Sequence, residues 1–160
     1  MLSIKLICVG KLRDRFFAEA AREYTKRLSG YCNIEIVEIP EYRLPDSPSS
    51  SEITKALARE GSLIADRIPS GAICAVLCIE GKEIDSEGLS SLLTGYAVNG
   101  VSKLCFIIGG SYGLHAQLKD SADVKLSMSK MTFPHALARV ILLEQLYRAL
   151  SIAGGGKYHK

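Results

Sequence analysis

The stretch Ser127–Ala149 constrains the fold more than any other part of this chain. A polar loop of Ser, Lys, Met and Thr leads into Phe133 and Pro134, after which we predict a long helix. Proline suits the first turn of a helix, because the N–H that it lacks would be unpaired there anyway. The apolar residues of the predicted helix fall on more than one side and are Leu137, Ile141, Leu142, Leu146 and Leu150. A helix of this kind has to be buried on all sides, so we expect a second subunit to cover part of it.

Strand and helix signals alternate along the whole chain. Apolar runs predict strands over 3–9, 34–39, 72–79, 104–108 and about 124–128, and amphipathic stretches predict helices over 14–29, 86–98 and about 114–120. Ser49 and Glu52 form a capping box that predicts a further helix after the polar loop 41–51. The alternation predicts one α/β domain over residues 1–160, with a mainly parallel sheet flanked by helices.

The composition points to an ordinary globular protein. Apolar residues make up 48% of the 160 residues and charged residues 23%, and the net charge is only +3, which permits an RNA partner without requiring one. The five cysteines fit no zinc signature and are expected to be buried, reduced thiols of a cytoplasmic protein. No apolar run reaches the roughly 18 residues that span a membrane, and the N-terminal segment is predicted to be a strand, not a signal peptide.

Three loops are expected to meet at one edge of the sheet. They span residues 77–82, 109–114 and 128–133, and each follows a predicted strand. In an open parallel sheet, ligands bind outside the carboxyl ends of the strands. Glycine at strand ends also serves simply to make tight turns, but three such loops together favour a binding site. No phosphate-binding loop or dinucleotide fingerprint is present, so the site suits a ligand such as an adenosine carrying an amino acid.

Signatures of metal or nucleophile chemistry are weak. The three histidines, His115, His135 and His159, lie at no metal-binding spacing, and Ser111 lacks the surroundings of a hydrolase nucleophile. Each histidine is as well explained by capping or by a place on the surface. We therefore predict no metal site.

Basic residues gather near the first helix and at the C-terminus. Lys11, Arg15, Arg22 and Lys26 fall near one face of that helix, although ion pairs four residues apart would equally suit a solvated surface. At the other end, three glycines are expected to form a flexible hinge before Tyr158, which stands beside lysines and a histidine and whose ring could stack on a base. A charged tail can also serve solubility alone.

Five segments carry a family resemblance that covers the whole chain. They are CVGKLRDRFF, IEGKEIDSEGLS, FIIGGSYGLH, LSMSKMTFPHALARVILLEQLYRA and the terminal KYHK. Together they closely resemble the RlmH family, the large-subunit rRNA pseudouridine N3-methyltransferases of the SPOUT class. The resemblance implies a deep trefoil knot in the C-terminal half, a homodimer, and S-adenosylmethionine as methyl donor. It implies as target a uridine already isomerised to pseudouridine, in 23S rRNA of the assembled ribosome.

The resemblance also implies the residues of the site. The donor-binding positions fall on Leu77, Gly109, Met128, Ser129, Lys130, Met131, Thr132 and Phe133, within the three loops described above. His159 is our candidate for the base or proton relay, with Tyr158 stacking on or orienting the substrate. Arg139 and Arg148 are candidates for steadying the substrate, although Arg148 also forms an ordinary helical ion pair with Glu144.

Two other classes of protein stay open at this point. One is a ribosome-binding module that has the fold but binds no donor, which saturable binding of S-adenosylmethionine would separate from an enzyme. The other is a hydrolase-like enzyme acting on a small substrate, for which no nucleophile signature is present.

Overall fold

The computed structural model describes all 160 residues as five strands and five helices. The strands are β1 (Ser3–Val9), β2 (Asn33–Ile39), β3 (Ile73–Glu83), β4 (Lys103–Ile108) and β5 (Val124–Ser127). The helices are α1 (Arg15–Leu28), α2 (Ser50–Ala65), α3 (Ser86–Val98), α4 (Ala116–Ser121) and α5 (His135–Ala153). The strands form one sheet in the order β2-β1-β4-β3-β5, and every pair is parallel. The predicted α/β architecture is confirmed, and all carboxyl ends lie along one edge of the sheet.

The two faces of the sheet bury separate cores. On one face, Leu6 and Phe106 pack with residues of α1, α3 and α5. On the other face, Ile7 and Ile107 pack with residues of α2 and α4. Because successive side chains of a strand point to opposite faces, the continuous apolar runs of β1 and β4 supply both cores at once. No helix combines the length and the apolarity that crossing a membrane requires.

Helix α5 lies between α1 and α3 and forms much of the first core. Leu143 and Leu146 are fully buried, with no exposed surface. Of the helix residues predicted to be covered, Leu142 and Leu146 are buried, but Leu137, Ile141 and Leu150 are only half-buried. One chain therefore leaves part of the apolar surface of α5 open. The knot implied by the resemblance stays a prediction.

Two helix ends differ from the sequence-based expectation. Pro134 has a ψ of 142° and is the N-cap, so the first helical turn begins at His135. The three glycines after α5 were expected to form a flexible hinge, but they adopt a hydrogen-bonded conformation that ends the helix. Gly155 has a φ of +71°, and the N–H groups of Gly155 and Gly156 donate to the carbonyls of Ile152 and Ser151. This is a Schellman motif, which caps the helix and turns the tail back along α5.

Strand β3 is longer than predicted. We expected it to end at Glu80-Gly81-Lys82, but it continues to Glu83 through an irregularity at which Leu77 and Lys82 both pair with Leu126 of β5. A Cβ built on Gly81 would lie 2.5 Å from the carbonyl carbon of Leu126. Glycine thus permits a backbone contact that keeps β3 and β5 together beyond the irregularity.

A buried carboxylate ties the loop after β2 to α2. Glu60 is 6% exposed, and its Oε2 accepts a hydrogen bond of 2.9 Å from the N–H of Tyr42. Burial raises the pKa of Glu60, the Tyr42 N–H lowers it, and nearby Glu41 raises it, with a net shift upward. The folded protein then holds this proton more tightly than the unfolded chain, so stability falls as the pH rises from the ordinary glutamate pKa through the folded-state pKa.

The substitution Glu60→Gln tests this linkage. Glutamine keeps an oxygen for the Tyr42 N–H but carries no charge, so we expect a higher thermal midpoint than wild type at pH 7. The gap should narrow toward acidic pH, where Glu60 of the wild type is protonated as well. Thermal unfolding between pH 4 and pH 8 measures this difference. A lower midpoint for the variant at pH 7 contradicts the assignment.

Candidate active site

A cleft of about 780 Å³ opens at the carboxyl edge of the sheet. Its walls are residues 77–80 of β3, the segments that follow β4 and β5, Lys119 of α4 and the start of α5. Of the eight donor positions expected from sequence, seven line it, namely Leu77, Gly109, Met128, Ser129, Met131, Thr132 and Phe133. Lys130 is exposed and does not line the cleft. Residues far apart in sequence are thus brought together as predicted.

One wall is a tight glycine loop after β4. The N–H of Gly113 donates to the carbonyl of Gly110 over 3.0 Å, and Gly113 has a φ of +79°. A Cβ built on Gly109 would clash with the carbonyl oxygen of Gly113 and lie 2.6 Å from its carbonyl carbon. Glycine at 109 therefore lets the loop fold back against the end of β4, and the backbone itself forms this wall.

The opposite wall is the loop between β5 and α5. The hydroxyl of Ser127 donates to the carbonyl of Ser129 over 2.9 Å, and the N–H of Met131 donates to the Ser129 hydroxyl over 3.0 Å. The Ser129 hydroxyl, which we expected to face a ligand, is thus partly engaged in shaping the loop. Thr132 is exposed and its hydroxyl makes no hydrogen bond within the protein, so it is available to a ligand.

The charged groups of the cleft are few and paired. Lys119 Nζ and Glu80 Oε1 lie 2.5 Å apart, and the hydrogen bond from Lys119 holds the pKa of Glu80 below its usual value. The remaining lining is largely apolar side chains and backbone groups, Leu77 and Ile108 among them. Such a surface suits an uncharged ring system that forms hydrogen bonds with backbone groups.

Sequence reasoning missed three groups of this site. Glu80, Lys119 and His135 line the cleft, yet none was named as a donor-binding or catalytic residue, although Glu80 lies in the predicted loop 77–82. Glu80 and Lys119 are 39 residues apart in sequence and are paired only by the fold. For His135 the signal was available, since it directly follows Pro134 at the start of the helix that the loop leads into.

Arg139, a predicted catalytic residue, lies behind the cleft and does not line it. It is 2% exposed, and its guanidinium donates to Glu38 Oε2 over 2.8 Å and to the carbonyl of Gly10 over 2.9 Å. The side chain therefore braces α5 against the ends of β1 and β2. In this conformation it cannot touch a substrate in the cleft, so contact with the substrate stays a prediction.

The predicted catalytic residues of the tail lie on the outer surface of α5. Tyr158 packs edge-on against Tyr147, with ring centroids 4.7 Å apart, and its hydroxyl donates to Glu144 Oε1 over 3.2 Å. Burial is the main cause that raises the pKa of Tyr158 to about 12. His159 Nδ1 is 3.3 Å from Arg148 Nη1. The tail is thus ordered by contacts with α5.

The tail of a chain does not reach the cleft of the same chain. Glu144 follows His135 by nine residues, which is about 14 Å along a helix that rises about 1.5 Å per residue. Neither Tyr158 nor His159 is among the residues that line the cleft. Within one chain, the expected donor site and the expected catalytic residues of the tail are therefore far apart. No group of three or more His, Cys, Asp or Glu side chains is placed to hold a metal ion.

The comparison with known families places this parallel α/β domain, with its cleft at one sheet edge, in a class of methyltransferases. Residues 2–159 match the family described as "Predicted SPOUT methyltransferase". Two solved structures share the fold, each with a TM-score of 0.56 and 14% identity. They are a probable methylase family protein from Haemophilus influenzae, matched over 100% of this chain and 72% of that one, and a probable methyltransferase from Bordetella pertussis, matched over 93% and 96%.

Full-length relatives narrow the class. Proteins named ribosomal RNA large subunit methyltransferase H are 45% identical in Leuconostoc mesenteroides and 42% identical in Acetivibrio thermocellus, each over 99% of this chain and 100% of the relative. The chain belongs to the SPOUT methyltransferase family and, within it, to the RlmH family, which confirms the resemblance seen in the sequence.

Proposed function

We propose that this protein transfers a methyl group from S-adenosylmethionine to N3 of a pseudouridine in 23S rRNA of the assembled ribosome, in the cytoplasm. The observation that carries the proposal is the cleft, which gathers seven of the eight expected donor positions around one space of about 780 Å³. The names of the full-length relatives support a large-subunit rRNA substrate.

The residues of the cleft fit such a donor. Its apolar walls and backbone groups suit an adenine ring, and the Thr132 hydroxyl is free to form a hydrogen bond with the ligand. The donor supplies a methyl group on a positively charged sulfur, which needs little further activation. The tasks left to the protein are to position the two reactants and to remove the N3 proton of the base.

We further propose that the active protein is a homodimer in which the tail of one subunit completes the cleft of the other. Two observations support this arrangement: Leu137, Ile141 and Leu150 are incompletely covered in one chain, and the tail lies far from its own cleft. His159 would then accept or relay the N3 proton in the partner's cleft, and Tyr158 would orient the base.

The dimer is testable without substrate. Because obligate interfaces resemble a domain core cut in half, we expect a dimer with no detectable monomer at low micromolar concentration. Sedimentation velocity across a dilution series measures this equilibrium. As a check on the surface, Ile141→Arg is expected to yield folded monomer, since it places a charge on the open part of α5. A stable wild-type monomer contradicts the proposal.

The proposed reaction is tested by incubating the protein with labelled S-adenosylmethionine and ribosomes, followed by mass mapping of the modified nucleoside. We expect methylation of one pseudouridine and a far lower rate on isolated 23S rRNA, because a net charge of +3 supports few phosphate contacts. Equal rates on both substrates would remove the requirement for an assembled ribosome. Binding of ribosomes without donor binding would identify a non-catalytic module instead.

A further inference from the structure

The cations of α1 and of the loop before it divide into two groups. Arg15 pairs with Glu19 at 2.7 Å and Arg27 with Glu23 at 2.8 Å, so these charges are largely compensated. Lys11, Arg13, Arg22 and Lys26 have no acidic partner within 4 Å; we call these four residues the α1 strip. The sequence could not separate the two groups, because Glu19 and Glu23 each have two cations three or four residues away.

Part of the α1 strip lines a groove of about 420 Å³ between α1 and the edge strand β2. Arg22 and Lys26 stand on the helix side with the polar residues Thr25 and Ser29. The sheet side is apolar, and Leu12 of the loop after β1 lines the groove as well. A groove with charged and hydroxyl groups along one wall suits a polyanion that lies lengthwise along the helix.

The surroundings leave this positive charge uncompensated. Glu38 lies on the groove side of β2 but forms an ion pair with Arg139. Arg139 also lines the groove, and its buried Nε has no hydrogen-bond partner. Asp14 is the one carboxylate between Lys11 and Lys26 that pairs with no cation. Four free cations thus face one free acid along this stretch.

The groove lies beside the cleft but away from the exposed side of α5. The α1 strip begins at Lys11, directly after Gly10, and the His135 ring of the cleft lies 3.3 Å from the position of a Cβ on Gly10. The other flank of α1 faces α5, where Arg27 lies 5.8 Å from the ring centroid of Tyr147. Of the α5 residues only Arg139 lines the groove, and the half-buried Leu137, Ile141 and Leu150 do not, so the groove is distinct from the α5 surface proposed for the partner subunit.

We propose that the α1 strip and its groove bind the phosphodiester backbone of the RNA that flanks the target nucleotide. This inference rests on the proposed function and assigns an RNA-docking surface to it. Side chains of Lys and Arg that neutralise phosphates supply most of the sequence-independent affinity for nucleic acid.

The test compares two double variants with the same change in charge. Arg22→Gln/Lys26→Gln removes the cations that line the groove, and Lys55→Gln/Lys103→Gln removes two cations elsewhere, on α2 and at the amino end of β4. Each pair lowers the net charge from +3 to +1, because each substitution removes one positive charge. Binding to unmethylated large ribosomal subunits is measured between 50 and about 300 mM salt, and donor binding by calorimetry.

We expect the groove variant to bind subunits at least about tenfold more weakly, with the slope of log K against log salt reduced by about one for each cation removed. The control variant and donor binding should stay near wild type. Wild-type affinity and slope in the groove variant would overturn the inference even if the protein methylates ribosomes normally. Dissociation of the groove variant into monomers would assign the groove to a second copy of the chain and would also overturn it. Failure of the wild type itself to methylate ribosomes is a different outcome, which refutes the proposed function.

Discussion

Replacing Gly109 by alanine is expected to lower the affinity for S-adenosylmethionine by about a hundredfold or more. The added Cβ would lie 2.6 Å from the carbonyl carbon of Gly113 and 3.0 Å from Cγ of Leu114, so the loop that walls the cleft has to move. A carbon this close to backbone atoms cannot be accommodated by a change of rotamer. Because the displaced atoms belong to the loop itself, we also expect some loss of stability, which the sequence alone did not predict.

A matched variant separates these effects. Gly95→Ala makes the same chemical change in α3, where a Cβ meets no atom within 4 Å, so donor binding should be unchanged. A second variant, Thr132→Trp, fills the mouth of the cleft from an exposed position and should weaken donor binding without lowering the thermal midpoint. Calorimetric titration measures the affinities. If both cleft variants fold and bind the donor as the wild type does, the donor site lies elsewhere.

Deleting Tyr158, His159 and Lys160 is expected to reduce methyl transfer by about a hundredfold or more, because general acid–base groups contribute on the order of 10²–10⁴ to a rate. Donor affinity should persist, since none of the three residues lines the cleft. The thermal midpoint should fall only slightly, through loss of the packing of Tyr158 on Tyr147. Tyr158→Phe keeps that packing but removes the hydrogen bond to Glu144, and so serves as the conservative control.

Mixing the two kinds of inactive protein tests whether sites are shared between subunits. Subunits with Thr132→Trp carry an intact tail, and tail-deleted subunits carry an intact cleft. If tails act on the partner's cleft, random exchange should restore about a quarter of the wild-type rate, because about half of the dimers are mixed and each holds one complete site. No recovery after verified exchange would mean that each tail serves its own cleft. A wild-type rate for the deleted protein alone would direct attention to His135, which already lines the cleft.

The sequence predicted the strands well because their apolar runs are continuous, as in β1 and β4, where both faces are buried. It misjudged β3, since Glu80-Gly81-Lys82 has the composition of a turn, whereas the close approach of Gly81 to Leu126 lets Lys82 and Glu83 pair with β5. It misjudged the terminal glycines for a related reason: their composition suggests flexibility, whereas their hydrogen bonds form a helix cap. The resemblance predicted eight donor positions, and seven of them line one cleft, but the distance between the tail and its own cleft depends on the length and direction of α5.

The place of α5 in the core has a consequence for how the protein is made. Leu143 and Leu146 are fully buried against strands that were synthesised before them, and β1 lies next to β4, whose residues follow it by 100 positions, as in the pair Ser3 and Lys103. A nascent chain therefore exposes an apolar sheet face until α5 has left the ribosome. We expect nascent fragments that end before α5 to depend on chaperones for their solubility.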